Sequence, residues 1–126
     1  MRKVFFLIFT LLLSCKPTDD FLFNEYKGYA SHDIEVDSVK IFTYGLPFIS
    51  PIETERKIQE ARKYKLDSVY KDYGLYKQNQ GCVIGDKKMD KAIKEYHRIT
   101  DVYLESRNGK DWKEKMEKEL NSIIEN

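Results

Sequence analysis

The chain has 126 residues, of which 41% are hydrophobic and 34% charged, and its formal net charge at pH 7 is +1. This nearly neutral balance gives no overall electrostatic footprint for nucleic acid, so we expect no nucleic-acid partner. The length suits one small domain, in which apolar burial is modest and stability is marginal.

The N-terminus has the order of charge and hydrophobicity that is typical of a secretory signal peptide. Arg2 and Lys3 provide a positive start, and an apolar run interrupted only by Thr10 continues to Leu13. This run is about half the ~20 residues that would cross a bilayer, so we do not expect a permanent transmembrane helix. The segment predicts export of the chain.

The apolar run ends in Leu12-Leu13-Ser14-Cys15. This motif resembles the lipobox of bacterial lipoproteins, in which a diacylglycerol is attached to the cysteine before the chain is cut and acylated. The resemblance implies signal cleavage between Ser14 and Cys15, a signal peptide at residues 1–14, and Cys15 as the lipid-attachment residue. An ordinary cleaved signal with a coincidental cysteine is the alternative interpretation.

Acylation of Cys15 would anchor the protein to a membrane without spanning it, because two or more acyl chains give a stable anchor. Lys16 follows the cysteine, and Asp19 and Asp20 come after two uncharged residues. This pattern loosely resembles the export signal of Bacteroidota lipoproteins. It implies the outer membrane, on either its periplasmic or its surface face, although a solvated tether favours the same polar residues.

Residues 15–33 are predicted to be a lipidated tether, and residues 34–126 a small globular domain. The tether is too aromatic for a purely solvated linker, so we expect part of it to pack on the domain or on the membrane surface. Its large apolar and aromatic residues are Phe21, Leu22, Phe23, Tyr26 and Tyr29.

A first strand is predicted from an alternation that starts at Ile34 and continues through Val39, Ile41 and Phe42. The alternation slips at Asp37, where the sequence is compatible with a bulge or a short helix.

The segment after this strand is apolar for a loop. Within it, Tyr44, Leu46 and Phe48 form the candidate contact loop. The loop either contacts a partner or plugs the domain, since exposed apolar patches usually mark interaction sites.

A second element begins at Ser50-Pro51-Ile52-Glu53, where a cap residue, a proline and a glutamate have capping-box spacing. Gly74 is expected to end this helix. Leu75 to Ile84 is predicted as a strand or a hairpin with a turn at Asn79-Gln80-Gly81. The helix presents apolar residues at Ile58, Ala61, Leu66, Val69 and Tyr73.

Two further helices are predicted near the C-terminus. Asp86 caps the first, and Asn108-Gly109 ends it. The second begins at about Asp111 and can form ion pairs along its outer face. Their inward residues are Met89, Ala92, Ile93, Tyr96, Ile99, Thr100 and Tyr103, and then Trp112, Met116, Leu120 and Ile123.

Together these elements predict an α+β fold, a small helix-dominated single domain of about three helices and two or three short strands. Helix, strand and helix follow one another across residues 51–108. So few strands do not justify predicting a βαβ unit.

The sequence contains no recognisable catalytic or metal-binding motif. With Cys15 lipidated, Cys82 has no disulfide partner, and its apolar neighbours predict a small buried hydrophobe. A Cys82–His97–Asp101 constellation is the one nucleophilic alternative, because the histidine and the aspartate are one helical turn apart. Because no family signature surrounds Cys82, we assign no catalytic residue. We also assign no metal site and no cofactor, and we expect a protein that is not an enzyme.

Two groups of side chains remain without a role. Four lysines at the start of the second long helix suit a solvated face, an acidic partner or anionic headgroups. Several aromatic residues have no place on a core stripe. The lysines are Lys87, Lys88, Lys91 and Lys94, and the aromatic residues are Tyr26, Tyr29, Tyr44, Phe48, Tyr64, Tyr70 and Tyr76.

The leading hypothesis is a membrane-anchored envelope lipoprotein, held by acylated Cys15, that serves as a non-enzymatic protein-interaction or structural module with an envelope protein partner. The alternative is an accessory lipoprotein that binds a glycan or a peptide. This alternative predicts a concave patch that contains several of the unassigned tyrosines.

Overall fold

The computed structural model describes residues 21–82 and 85–125. It confirms a small, helix-dominated α+β domain. The predicted signal peptide, Cys15 and the residues up to 20 lie outside the described part. The elements are α1 (Phe21–Glu35), β1 (Val39–Thr43), α2 (Glu53–Asp72), β2 (Leu75–Asn79), α3 (Lys87–Asn108) and α4 (Trp112–Glu125).

Helix α1 corrects the predicted boundary between tether and domain. Tyr26, Ala30 and Asp33 are buried on one of its faces at helical spacing. Because one of these residues is an aspartate and one an alanine, apolar periodicity did not reveal the helix. The predicted packing of this segment on the domain is present, but the packed domain begins by residue 21 and not at residue 34.

The segment between α1 and β1 corrects the predicted strand. Ile34 lies in the last turn of α1 instead of starting an alternation, and Asp37 has a φ of 48°. Aspartate tolerates this left-handed conformation better than most residues. The backbone N–H of Ser38 donates to the carbonyl of Asp33 at 2.8 Å, and β1 then begins at Val39.

Strands β1 and β2 are parallel, in a register that runs from Val39 opposite Leu75 to Thr43 opposite Asn79. Parallel neighbours need a crossover connection, and α2 provides it. The βαβ unit that the sequence did not justify is therefore present as β1–α2–β2. Of the segment predicted as a strand or hairpin, residues 75–79 form β2, and residues 83–84 lie outside the described part.

Helix α2 begins later than the predicted capping box. Its N-cap is Ile52, whose side chain makes no capping hydrogen bond. Ser50 instead accepts the N–H of Ile52 at 3.2 Å and donates to Glu55 at 2.6 Å. Gly74 follows the helix as predicted. Much of the predicted apolar face is wrong, because Ile58 is exposed and Val69 is the buried residue of α2.

Helices α3 and α4 confirm their predictions closely. The carboxylate of Asp86 accepts the N–H of Lys88 at 2.9 Å and that of Met89 at 3.4 Å, which caps α3. Gly109 ends this helix with a φ of 90°. Trp112 is buried at the start of α4. None of the described helices has the length and apolar character needed to span a membrane.

The core is organised around the hydroxyl of Tyr96, a fully buried residue of α3. This hydroxyl accepts the backbone N–H of Lys40 at 2.7 Å and donates to Asp33 at 2.6 Å. Burial, and then the hydrogen bond to Asp33, raise the pKa of Tyr96. One polar atom thus joins α1, β1 and α3.

A second polar cluster joins the turn after α1 to the C-terminal ends of α2 and α3. Arg107 donates two hydrogen bonds to the carboxylate of Asp37, at 2.6 and 2.8 Å, and a third to the carbonyl of Asp72 at 2.9 Å. Gly74 passes against this cluster with a φ of 75°. A Cβ at Gly74 would lie 2.8 Å from Oδ1 of Asp37, so the site requires glycine.

Gly74→Ala should lower the free energy of unfolding by roughly 2 kcal/mol, because the side chain would force both a strained φ and a clash with Asp37. Gly28→Ala is the matched control. A Cβ added to Gly28 in α1 would meet no neighbouring side chain or packed element within 4 Å, and alanine there should raise stability by up to about 1 kcal/mol. Urea denaturation measures both, and equal effects would contradict the close packing at Gly74.

Candidate functional site: a groove between α2 and β2

A groove of about 630 Å³ lies between α2 and β2. Tyr64, Asp67 and Lys71 of α2 form one wall, since their spacing of three and four residues puts them on one helix face. β2 forms the other wall. Pro47, in the loop after β1, contributes to the lining.

Three of the tyrosines without a predicted role meet in this groove: Tyr64, Tyr70 and Tyr76. Tyr64 is 78% exposed, whereas the other two are half-buried. Burial, and then the nearby Asp67 carboxylate, raise the pKa of Tyr70. The groove is therefore a concave patch of the kind that the ligand-binding alternative requires.

Charged side chains frame these rings. Nζ of Lys77 in β2 lies 3.3 Å from the carboxylate of Asp67 and 4.5 Å from the ring centroid of Tyr70, both in α2. These contacts join the two walls of the groove. Lys63 and Lys71 also line the groove. With three lysines and one aspartate, the lining carries an excess of positive charge. Sequence reasoning missed these charged residues, although the polar and aromatic stripe of α2 is visible in its spacing.

The candidate contact loop is exposed, so the interpretation that it plugs the domain is wrong. Leu46 is 84% exposed and Phe48 is 79% exposed, and Tyr44 is also exposed. The N–H of Gly45 donates to the carbonyl of Gly81 at 2.8 Å, which holds the loop beside the end of β2. The loop therefore continues the rim of the groove as an apolar surface.

The nucleophilic alternative does not assemble. Cys82 is exposed, so its predicted burial is wrong. His97 and Asp101 line a separate cleft of about 360 Å³ between the sheet, α3 and α4, and Cys82 does not line it. Within the described ranges, no three His, Cys, Asp or Glu side chains come together as a metal-ligand set.

The remaining unassigned aromatic residues and lysines lie away from the groove. Tyr26 belongs to the core and contacts Phe42, with a centroid distance of 5.7 Å. The four lysines at the start of α3 are exposed. Nζ of Lys91 lies 5.1 Å from the ring centroid of Phe23, and Nζ of Lys27 lies 4.6 Å from it.

Comparison with known proteins assigns the chain to no family. No protein-family model matches it, and neither does any curated protein or solved structure. The groove and the apolar loop are thus the observations from which its function can be inferred.

The pKa of His97 should make stability depend on pH. Burial lowers this pKa below the ordinary value of 6.5, while Asp101 raises it and Lys113 lowers it to a smaller extent. The unfolded chain therefore takes up the proton first. His97 contributes its stabilisation fully above pH 6.5, and this contribution is lost as the pH falls to the folded-state pKa.

Acidification from about pH 7.5 to 5 should therefore lower the urea midpoint of the wild type more than that of His97→Gln. His32→Gln is the control, because His32 is an exposed histidine of α1. It should retain the wild-type pH dependence. If His97→Gln and the wild type lose the same stability, burial of His97 does not control this pH range.

Proposed function

We propose that the protein is a lipid-anchored lipoprotein of the bacterial envelope, whose domain acts without catalysis by binding a partner protein. The observation that supports this best is the groove between α2 and β2, where three tyrosines converge beside an exposed apolar loop. Tyrosine is enriched at protein interfaces because it offers a large contact area with a polar tip.

The anchor rests on the resemblance of residues 12–15 to a lipobox. Phe21, the first residue of α1, follows Cys15 by six residues. Six residues can reach at most about 20 Å, so an acylated Cys15 would hold the domain close to the bilayer.

The end of the domain at which α1 starts suits a membrane surface. Tyr26 of α1 donates a hydrogen bond to Met89 of α3 at 3.1 Å, so the N-terminal halves of the two helices lie side by side. Phe21 is 69% exposed there, and Phe23 lies between two lysines. Exposed aromatic rings and lysines are favourable at the boundary between lipid and water.

The apolar loop supports a protein partner. Leu46, Phe48 and Ile49 are each more than 60% exposed and nearly adjacent in sequence. Covering apolar surface contributes about 25 cal/mol per Å², so a partner that buries this loop together with the groove gains affinity from both.

A glycan ligand is the second candidate. The mostly exposed ring of Tyr64, with Asp67 and Asn79 also in the lining, offers a stacking surface and polar partners for a sugar. It differs from the leading proposal because a sugar would occupy the groove without needing the apolar loop.

Metabolic labelling with an acyl-chain precursor tests the anchor. The wild type should incorporate label and sediment with membranes, whereas Cys15→Ala should do neither. Cys82→Ala is the matched control, because the exposed Cys82 thiol is the other cysteine of the chain, and this variant should be labelled like the wild type. An unlabelled wild type would refute the lipoprotein proposal.

Photo-crosslinking in intact cells tests the binding groove. Benzoylphenylalanine at Tyr64 should give one discrete protein adduct, while the same group at Val102 should not. Val102 is a suitable control because it is 70% exposed on α3 and does not line the groove. Leu46→Ser combined with Phe48→Ser should weaken the adduct at Tyr64 by at least about tenfold, which corresponds to 1.4 kcal/mol. Indistinguishable patterns from both positions would contradict the proposal.

A further inference from the structure

The two-stranded sheet has one edge that remains open in the described part of the chain. β1 and β2 pair with each other and with no other described strand. The N–H of Val39 donates to the carbonyl of Gly74, and the N–H of Gln80 donates to that of Thr43. These two bonds establish which backbone groups of β2 point toward β1.

The backbone N–H and C=O of one residue in a parallel strand point to the same side, and the side alternates along the strand. Tyr76 and Gln78 therefore direct these groups toward β1. Leu75, Lys77 and Asn79 direct theirs away from β1, to the outer edge of β2. Leu75 is buried, whereas Lys77 and Asn79 are exposed, so the outward backbone groups of these two residues are available to another strand.

The outer edge of β1 is covered by contrast. The N–H of Lys40 donates to the hydroxyl of Tyr96 in α3 at 2.7 Å, and this hydroxyl donates to Asp33 in α1, so both helices lie on this side. Among the described elements, β2 is therefore the edge to which a further strand can add.

The groove follows this open edge. The three residues of β2 that direct their backbone groups outward all line it, and Tyr64 and Tyr70 of α2 face them. β2 has five residues and is about 17 Å long, so its edge can pair with an extended segment of about five residues. The volume of about 630 Å³ lies within the ~300–1,000 Å³ that ligand sites typically have.

The charge of the groove lining indicates which side chains an added segment would carry. The ion pair of Lys77 with Asp67 is internally balanced, and Lys63 and Lys71 add two positive charges to the lining. A segment with carboxylate side chains complements this surface, whereas a basic segment would be repelled.

We propose that the groove binds an extended acidic segment of the partner protein, which adds to the outer edge of β2 as a third strand. This inference rests on the proposed function of the groove as a partner-binding site. Main-chain hydrogen bonds would supply affinity, and the tyrosine-lined wall would select alternate side chains of the segment.

The test uses the full-length lipidated protein in detergent and the peptide acetyl-Val-Glu-Val-Glu-Val-amide, with binding followed by fluorescence anisotropy. Lys77→Pro removes an outward-facing N–H, which an edge strand tolerates, and should raise the Kd at least tenfold. Lys77→Ala keeps this N–H and should raise it less than threefold. The peptide with lysine in place of glutamate should bind at least tenfold more weakly than the acidic one.

A second measurement leaves the protein unchanged, in case Lys77→Pro does not fold. Two forms of the peptide are compared, one N-methylated on its odd-numbered residues and the other on its even-numbered residues. In an extended segment only one of these two groups of N–H faces β2. The peptide methylated on that side should lose binding, and the other should keep it. Equal binding by both forms, or no binding of the unmethylated peptide at 1 mM, would overturn strand addition. If the Tyr64 crosslink to a partner persists in that case, only this inference fails; if it is absent too, the proposed function also fails.

Discussion

The arrangement of the domain depends on one buried hydroxyl, that of Tyr96. It accepts the N–H of Lys40 and donates to Asp33, so α1, β1 and α3 are joined at a single atom. An unpaired buried polar group costs about 1–3 kcal/mol, which penalises any packing that separates these three elements. The same contact closes the outer edge of β1 and leaves β2 as the open side of the sheet.

The open side becomes a groove because the two strands are parallel. A parallel pair needs a crossover, and α2, which provides it, lies across the groove from β2. At the C-terminal end of α3, Arg107 holds Asp37 and the last turn of α2 together, against a glycine whose φ is positive. The Arg107 cluster thus fixes the end of α2, which leads through Gly74 into β2, although the cluster itself does not line the groove.

The proposed anchor would assist binding in the groove. An acylated Cys15 would restrict the domain to a layer near the membrane, which raises the effective concentration of any partner anchored in the same membrane. A weak strand-addition site would then suffice, because the anchor reduces the cost of bringing the partners together. In this proposal the exposed loop at Leu46 and Phe48 would add apolar contact to main-chain bonds that are largely independent of sequence.

Local signals in the sequence predicted the fold class, α3 and α4, because capping by Asp86, a continuous apolar stripe and a terminal glycine act over a few residues. Sequence also identified the loop after β1 and the surplus of tyrosines. Only the tertiary structure decided that α1 is a packed helix, that the strands are parallel, and that Tyr64 and Tyr76 share a groove. The reason is physical: strand pairing and the burial of a carboxylate such as Asp33 depend on partners distant in the chain, and hydrophobic periodicity does not encode those partners.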